Sequence, residues 1–409
     1  MRQSKLFTKT LKNPPQGEQS QSAQILIQAG FIDKLFAGAY SILPLGWRVI
    51  KKIENIIKEE IDNIDGQEIL MPSLHPLENY KKTGRDKIDI LFYTQLKNEM
   101  KLVLSQSNEE VITPLMKKYI TSYRDLPKAV YHFQVKFRNE LRAKSGIIRT
   151  REFLMKDLYS FHKDEKDLDR YYELVKKTYF KIFKRCGIRK ETYYTYASGG
   201  TFSKYSHEFQ TISSAGEDII HICKNCNLAI NDEIKNKIKE CPGCGKNDFE
   251  KKKSIEVGNI FKLGTRFSKS FDFQFTDEKA QQKDVIMGCY GIGLGRLMGT
   301  IVEKSNDKNG IIWPKEVSPF KVHLLELDSK TEAEKIYKTL EQNQIETLFD
   351  DRQDKSAGEK FADSDLIGIP YRIVVSKKTL EKDSVEIKKR NSKKMELVKI
   401  SKLIEKLKN

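Results

Sequence analysis

The sequence contains no run of eighteen apolar residues, which excludes an ordinary membrane-spanning helix. Its N-terminus, MRQSKLFTKTLKNPP, lacks the apolar core of a secretory signal. Hydrophobic residues make up only 38% of the 409 and charged residues 32%, a balance that excludes a disordered chain and leaves room for two or three globular domains. Acidic residues are in deficit: 57 Asp and Glu face 74 Lys and Arg, a net charge of +17. Such an excess favours a polyanionic partner, although a lysine-rich composition bias would leave the same count. Cysteines are few, at Cys186, Cys223, Cys226, Cys241, Cys244 and Cys289, and four of them fall into two CxxC pairs. In an intracellular protein that pattern argues for a metal and against disulfides.

What is present concentrates in one stretch. From Val135 to His162 the chain reads VKFRNELRAKSGIIRTREFLMKDLYSFH. Tyr131, Phe133, Val135 and Phe137 alternate with other residues as a strand does, and Phe153, Leu154, Met155, Leu158 and Phe161 form a second apolar run. The basic Ser-Gly loop between them makes a hairpin, with Arg138, Arg142, Arg149 and Arg151 in or beside the loop and carboxylates at Glu140, Glu152 and Asp157. Guanidinium groups on stiff strands suit bidentate capture of phosphate oxygens, and an aromatic such as Phe153 suits stacking on a base. A solvated basic hairpin would show the same pattern.

Around this hairpin the chain alternates helix and strand signals. Val49, Ile50, Ile53, Ile56, Ile57 and Ile61 recur at helical spacing, and EILMPSLHP after them predicts a short strand stopped by Pro72. LVLSQ predicts a strand, followed by a helix whose face is Val111, Ile112, Leu115, Met116, Tyr119 and Ile120. Ser107 or Asn108 is placed to cap it, with Glu109 and Glu110 in its first turn. A charged helix at 164–185 leads to a strand, a Gly199-Gly200 turn and a second strand. Cys223-x-x-Cys226, fourteen residues, then Cys241-x-x-Cys244 has the spacing of a zinc ribbon. Four thiolates close a tetrahedral site, so the metal would be structural; zinc suits them best, with an iron centre or free thiols as the alternatives. Gly288 to Arg296, GCYGIGLGR, contains a GxGxxG-like run, but no βαβ unit with a downstream acid follows, which disfavours a Rossmann loop. IIWPKEVSPF marks a boundary. Beyond it FKVHLLEL, a helix at 329–343, IETLFDD, a further helix, YRIVVS, DSVEIKK and a terminal amphipathic helix predict an independent α/β domain.

FRNE, a loop and RTREF resemble motif 2 of the class II aminoacyl-tRNA synthetases, and the run through FLMKDLYSFH resembles the prolyl-tRNA synthetases among them. The helix, strand and proline of residues 47–72 look like motif 1, which in that family forms a dimer interface. GCYGIGLGR looks like motif 3, with Arg296 at a helix start. DDRQDKSAGEKFADSDLIGIP resembles the anticodon-binding domain of the histidyl, glycyl, threonyl and prolyl enzymes. The likeness covers almost the whole chain and begins almost at Met1, which disfavours a transit peptide and makes cytoplasmic the expected compartment.

The resemblance implies an α+β fold. An antiparallel sheet flanked by helices (1–221 and 254–317) would carry a small zinc-ribbon-like insertion with four cysteines (222–253) and an α/β anticodon-binding domain (318–409), working as a homodimer off the membrane. The implied activity is ATP-dependent activation of L-proline and its transfer to the 3′ end of tRNA(Pro). Arg138 would bridge the α-phosphate and the proline carboxylate, and Glu140 would read the adenine side. Arg149 and Thr150 would support the nucleotide, Phe153 would stack on adenine, and Arg296 would hold the γ-phosphate. Ser107, where the family carries Thr, and Glu109 would hold the amino acid, with Met155 and His207 of Ser206-His207-Glu208-Phe209 shaping its pocket. Asn259 stands in EVGNIF where the family commonly has His. Mg²⁺ is expected with ATP, zinc at Cys223, Cys226, Cys241 and Cys244, and anticodon contacts at Asp350, Arg352, Lys360, Phe361 and Asp365. The insertion is far too short for the large editing domain of many bacterial members, so in-chain editing is expected to be absent. Two rivals are a threonyl or glycyl enzyme with altered pocket residues, and a non-catalytic paralogue acting on RNA. Survival of Arg138, Glu140, Phe153 and Arg296 argues against the second.

Overall fold

A computed structural model describes residues 1–141, 145–200 and 205–408. Arg142 and residues 201–204 of the Gly-rich loop lie outside the described residues. Helices of eight residues or more among those described are α1 (Gln21–Gln28), α2 (Pro44–Asp62), α3 (Glu109–Met116), α4 (Glu165–Arg185), α5 (Leu294–Lys304), α6 (Lys330–Gln342) and α7 (Ala357–Ile367). The chain divides into two compact units. One comprises Phe36–Tyr40 and Ile53–Thr300; the other comprises Met1–Leu35, Ser41–Lys52 and Ile301–Asn409. The N-terminal residues thus group with the C-terminal sheet, where a boundary at 318 would have left them with the first unit.

The larger unit is built on a nine-stranded sheet. Its strands are β1 (Gly66–Glu68), β2 (Lys128–Phe137), β3 (Glu152–His162), β4 (Thr192–Ser198), β5 (Tyr205–Ile212), β6 (Asp218–Cys223), β7 (Ala229–Asn231), β8 (Phe249–Gly264) and β9 (Ile286–Gly293). They run in the order β5-β4-β7-β6-β8-β9-β3-β2-β1, with β5 also paired to β8. Every pairing is antiparallel except β7 with β4 and β1 with β2. The metal-ligand candidate Cys223 therefore ends a strand of the main sheet, so the cysteine module is continuous with it.

One face of this sheet is covered by α4. Asp164 caps the helix by accepting from the Asp167 N–H at 2.8 Å, acids fill its first turn and Lys184 and Arg185 its last. Leu168, Tyr172, Val175, Tyr179, Ile182 and Phe183 are all buried, each contributing on the order of 1.5–3 kcal/mol. Tyr179 and Phe183 meet Phe209 of β5 at 5.2 and 5.4 Å between centroids. Because side chains alternate along a strand, Phe209 on this face places Glu208 on the other, which is left for the site.

Two expectations need correction. Asn108 does stand at the start of α3, but makes no side-chain cap bond; its amide oxygen accepts from Ser105 Oγ and Lys136 Nζ instead. The helix also stops at Met116, leaving Tyr119 exposed outside it.

The second unit carries a five-stranded sheet of β10 (Val322–Leu327), β11 (Thr347–Asp350), β12 (Tyr371–Ser376), β13 (Ser384–Lys389) and β14 (Met395–Lys399), in the order β11-β10-β12-β13-β14. β14, which the sequence did not mark, precedes the expected terminal helix, formed by a 3-10 turn at Ile400–Lys402 and an α-helix at Leu403–Lys408. Helix α7 begins with a capping box between Ser356 and Glu359 and ends at Gly368, whose φ of 81° is the left-handed stop that glycine adopts without strain.

Candidate active site

The hairpin β2–β3 and the strands β8 and β9 converge on one cleft. Arg138, Glu140, Arg149, Thr150, Phe153 and Met155 line it from the hairpin, Glu256 and Asn259 from β8, Gly291 from β9, and Arg296 from the third position of α5. Six residues assigned to ATP in the sequence, and Met155 of the proline set, therefore share one space. Arg138 donates from Nε and Nη2 to the Gln106 carbonyl, 3.4 Å each, and its guanidinium sits 5.3 Å from the Phe153 ring centre. Burial, and then the charge of Arg296, pull the Arg138 guanidinium below its ordinary pKa. Two cations pressed together in a half-buried cleft make a place for a polyanion. Arg296 is aimed by three bonds, to Glu256 Oε2 (3.0 Å), the Glu256 carbonyl (3.1 Å) and the Ile148 carbonyl (2.8 Å). Arg149 bridges Glu140 (2.9 Å) and Glu217 (2.8 Å) across the rim.

The register shows why the floor of the cleft is open. His132, Asp157, Gly291, Asn259 and Glu208 lie opposite one another across β2, β3, β9, β8 and β5. A Cβ on Gly291 would come within 2.4 Å of the Met155 methyl and 2.8 Å of the Asn259 amide oxygen. Glycine there keeps the space clear. Asn259 donates to Glu256 Oε1 at 2.9 Å and so helps to fix the carboxylate that holds Arg296.

Beyond Gln106 lies a buried polar cluster at the N-terminus of α3. Glu109 Oε2 accepts from Ser107 Oγ and, at 3.3 Å, from Arg85 Nη1. Its other oxygen, Oε1, is buried with no hydrogen-bond partner among the described residues. Cys289 stands on the adjoining strand, its thiol pushed well up by burial and then by the charge of Glu109. Arg85 is shared with Glu110 (3.0 and 3.2 Å), which also accepts from Thr83 at 2.8 Å. Burial pushes the Glu110 carboxyl up to about 7, against the pull of Arg85 and with the help of Glu109. Below them Lys136, wholly buried, reaches Asp157 at 2.8 Å, and His132 lies 3.5 Å from the same carboxylate. Burial alone would raise the Asp157 carboxyl, but Lys136 and His132 together outweigh it and hold it below the usual range. A carboxylate with a spare lone pair suits a cationic amine.

His207 is not brought to this site. It lies on the α4 face of the sheet, its Nδ1 2.7 Å from the Tyr172 hydroxyl and its ring stacked on Tyr194 at 4.6 Å. Burial, then Lys176 and Lys262, pull its imidazole down to about 3. Strand alternation gives the front position to its neighbour Glu208, whose carboxyl is pushed up to about 8 by burial and by Glu256. Arg85, Lys136, Glu256 and Gly291 were not singled out from sequence. Charged residues inside apolar strand runs, as at Lys136 and Asp157, were the available signal; Arg85 sits in a loop that offered none.

The four cysteines do come together. Their sulfurs all lie within 4.8 Å of one another, with Cys223–Cys244 at 3.6 Å and Cys226–Cys241 at 3.4 Å. That is too far for disulfides, and near the ~3.8 Å expected for thiolates around one ion with Zn–S bonds of about 2.3 Å. The two knuckles share a backbone pattern: Cys223 donates to the Leu228 carbonyl and Cys241 to that of Lys246, with positive φ at Asn227 (61°) and Gly245 (71°).

In the second unit Asp350 is buried and chelated by Arg352 at 2.8 and 2.6 Å. Lys360 is buried against Glu326 at 3.3 Å, and Asp365 accepts from Arg372, which also covers the Phe361 ring at 4.7 Å. Asp350 and Lys360 are thus engaged internally, while Arg352 and Asp365 reach an open groove.

Comparison with known proteins identifies the family of both units. The tRNA synthetase class II core domain (G, H, P, S and T) matches residues 92–305, and the Anticodon binding domain matches residues 317–409. The proline–tRNA ligase of Ehrlichia ruminantium is 38% identical over 96% of both chains. That of Sulfurimonas denitrificans is 36% identical over 98% of this chain and 100% of its own. That of Dehalococcoides mccartyi is 32% identical, but its alignment runs to 562 positions against this chain's 409. Among solved structures, the prolyl-tRNA synthetase of Cryptosporidium parvum complexed with halofuginone and AMPPNP superposes with a TM-score of 0.78 at 18% identity, over 95% of this chain and 76% of that one. With both domain families matched and curated relatives aligned along nearly its full length, the chain belongs to the class II aminoacyl-tRNA synthetases, in the proline–tRNA ligase family.

Proposed function

We propose that the protein is a proline–tRNA ligase that activates L-proline with ATP and esterifies it to tRNA(Pro). The observation that carries this is the convergence of Arg138, Glu140, Arg149, Phe153 and Arg296 on one cleft, with the unpartnered Glu109 oxygen in the pocket beyond it. In the first step a proline carboxylate oxygen attacks the α-phosphorus; the new P–O bond forms as the bond to pyrophosphate breaks. A carboxylate needs no deprotonation, so no general base is required, and catalysis rests on positioning and charge stabilisation. Arg138, on the boundary between cleft and pocket, spans the α-phosphate and the attacking carboxylate. Phe153 stacks on adenine, Glu140 reads its edge, Arg149 and Thr150 steady the nucleotide, and Arg296 holds the terminal phosphate. Glu109 and Ser107 receive the imino nitrogen, and Met155 bounds the ring. In the second step a terminal tRNA hydroxyl attacks the prolyl carbonyl, and AMP leaves. Where family resemblance put His207 at the pocket, its place behind the sheet supports a role in packing.

Mg²⁺ accompanies ATP, and the adjacent carboxylates Glu208 and Glu256 supply oxygen donors that suit a hard cation. Zinc is held by Cys223, Cys226, Cys241 and Cys244 as a structural ion, supported by the sulfur spacing and the paired knuckles. Exposed apolar residues beside β1, Leu70 and Leu74, suit a subunit contact in a homodimer. Among the described residues no helix is long and apolar enough to cross a membrane, which suits a cytoplasmic enzyme. The shortness of this chain beside its longer relatives supports charging without in-chain editing; one or two methylenes discriminate weakly, so some alanyl-tRNA(Pro) forms, and without in-chain hydrolysis it persists. Aminoacylation of a tRNA(Pro) transcript with labelled proline tests the proposal. Stable ester formation is expected, and ATP-dependent labelling with another amino acid in its place would overturn the substrate.

A further inference from the structure

The residues expected to read the anticodon are largely used up inside the C-terminal fold, which directs attention to the open groove beside them. Its second wall is the N-terminus. Met1 donates from its amino group to the Thr347 carbonyl and lies 2.8 Å from the Tyr337 hydroxyl, and Gln3 contacts His323 at 2.8 Å. Arg2 pairs with Glu334 at 2.5 Å, and Thr10 donates to Asp363 of α7 at 2.6 Å. The strap is thus pinned at both ends, and residues 5–9 arch between the pins. Between strap and α7 opens a groove of about 1040 Å³, at or beyond the ~300–1,000 Å³ of a small-molecule pocket and suited to a polymer segment.

The chemistry of the two walls differs. Arg352 and Lys355 on the α7 side are paired with Asp363 and Glu359 at 2.9 Å each. Lys9 and Lys12 on the strap line the same groove and have no acidic partner among the described residues. Phe7, whose chain neighbours Leu6 and Thr8 line the groove, is itself outside that lining and 75% exposed. An exposed aromatic ring on the same strap as two groove-lining lysines, which face Asp354 across the groove lining, offers the two elements that single-stranded nucleic acid uses, stacking for bases and charge for the backbone.

We infer that the N-terminal strap is part of the tRNA-binding surface, with Lys9 and Lys12 on the phosphates of the anticodon loop and Phe7 as a platform for one of its unstacked bases. This rests on the tRNA-charging reading. The test is steady-state aminoacylation of a tRNA(Pro) transcript by the full-length Phe7→Ala and Lys9→Ala/Lys12→Ala proteins. Proline-dependent ATP–pyrophosphate exchange without tRNA is measured in parallel to report that adenylation is intact. Phe7→Ala should raise the KM for tRNA about tenfold. The double lysine variant should flatten the log–log salt dependence of binding by about 1.4, at roughly 0.7 per phosphate contact on a single strand. An isolated anticodon stem-loop RNA should bind the wild-type protein and bind both variants more weakly. Unchanged tRNA KM and salt slope, or an equal loss with an acceptor-stem minihelix that lacks the anticodon, would overturn the inference. Failure of exchange in the wild-type protein would instead count against the charging function itself.

Discussion

Replacing Glu109 with Gln keeps the shape of the buried pocket and removes one charge. Toward the protein the change is mild, because Arg85 retains Glu110 at 3.0 and 3.2 Å and its contact to Glu109 is the longest of the three, at 3.3 Å. Toward the substrate it is not, because in the proposed reading Oε1, which has no partner among the described residues, receives the imino nitrogen. A hydrogen bond to a charged group contributes about 1.5–3 kcal/mol net, so the KM for proline should rise roughly 10- to 150-fold. The KM for ATP should stay within about twofold, since Glu109 is not among the residues lining the nucleotide cleft. Pyrophosphate exchange with proline and ATP varied separately reads both. A change of less than about threefold for proline, or an equal change for ATP, would refute the assignment of Glu109 to the amino acid.

Arg296→Ala removes the guanidinium aimed by Glu256 and Ile148 and should cost a hundredfold or more in kcat/KM for ATP in protein whose circular dichroism shows it folded; a loss below tenfold would speak against triphosphate contact. Metal analysis of the purified protein should return one zinc per chain, and a strong chelator should release it, lower Tm and make four further thiols reactive. Metal-free protein with unchanged Tm would rule out a structural ion. Acid sensitivity should begin early. Burial pulls the imidazoles of His75 and His323 down to about 4, so below pH 6.5 the unfolded chain binds protons that the folded one refuses. The stability this gives is complete above pH 6.5 and is lost as pH falls toward 4, by up to about 2 kcal/mol per histidine at pH 5. Urea midpoints that coincide at pH 7.5 and 5.0 would contradict it.

Much of the larger unit was legible because its signals are local. The alternation before Arg138 and the apolar run after Glu152 specify two strands, and Arg296 does lie in the first turn of a helix after the Ile286–Gly293 strand. The misses arise where tertiary partners decide. Asn108 abandons the cap because buried Lys136 competes for its amide oxygen. The face that His207 takes depends on strand register, which a short motif does not reveal. The resemblance offered Asp350 and Lys360 as anticodon contacts, yet ion pairs engage both inside the fold. The N-terminus joins the C-terminal sheet through Phe349, whose N–H bonds the Met1 carbonyl at 2.8 Å, a pairing invisible to any local pattern.

The central claim is that this pocket selects proline for activation, and amino-acid-dependent ATP–pyrophosphate exchange across the twenty amino acids, without tRNA, tests it most directly. The account predicts strong exchange with proline and a weaker signal with alanine or cysteine. Strong exchange with a different amino acid, or none with any from folded, metal-replete protein, would contradict it.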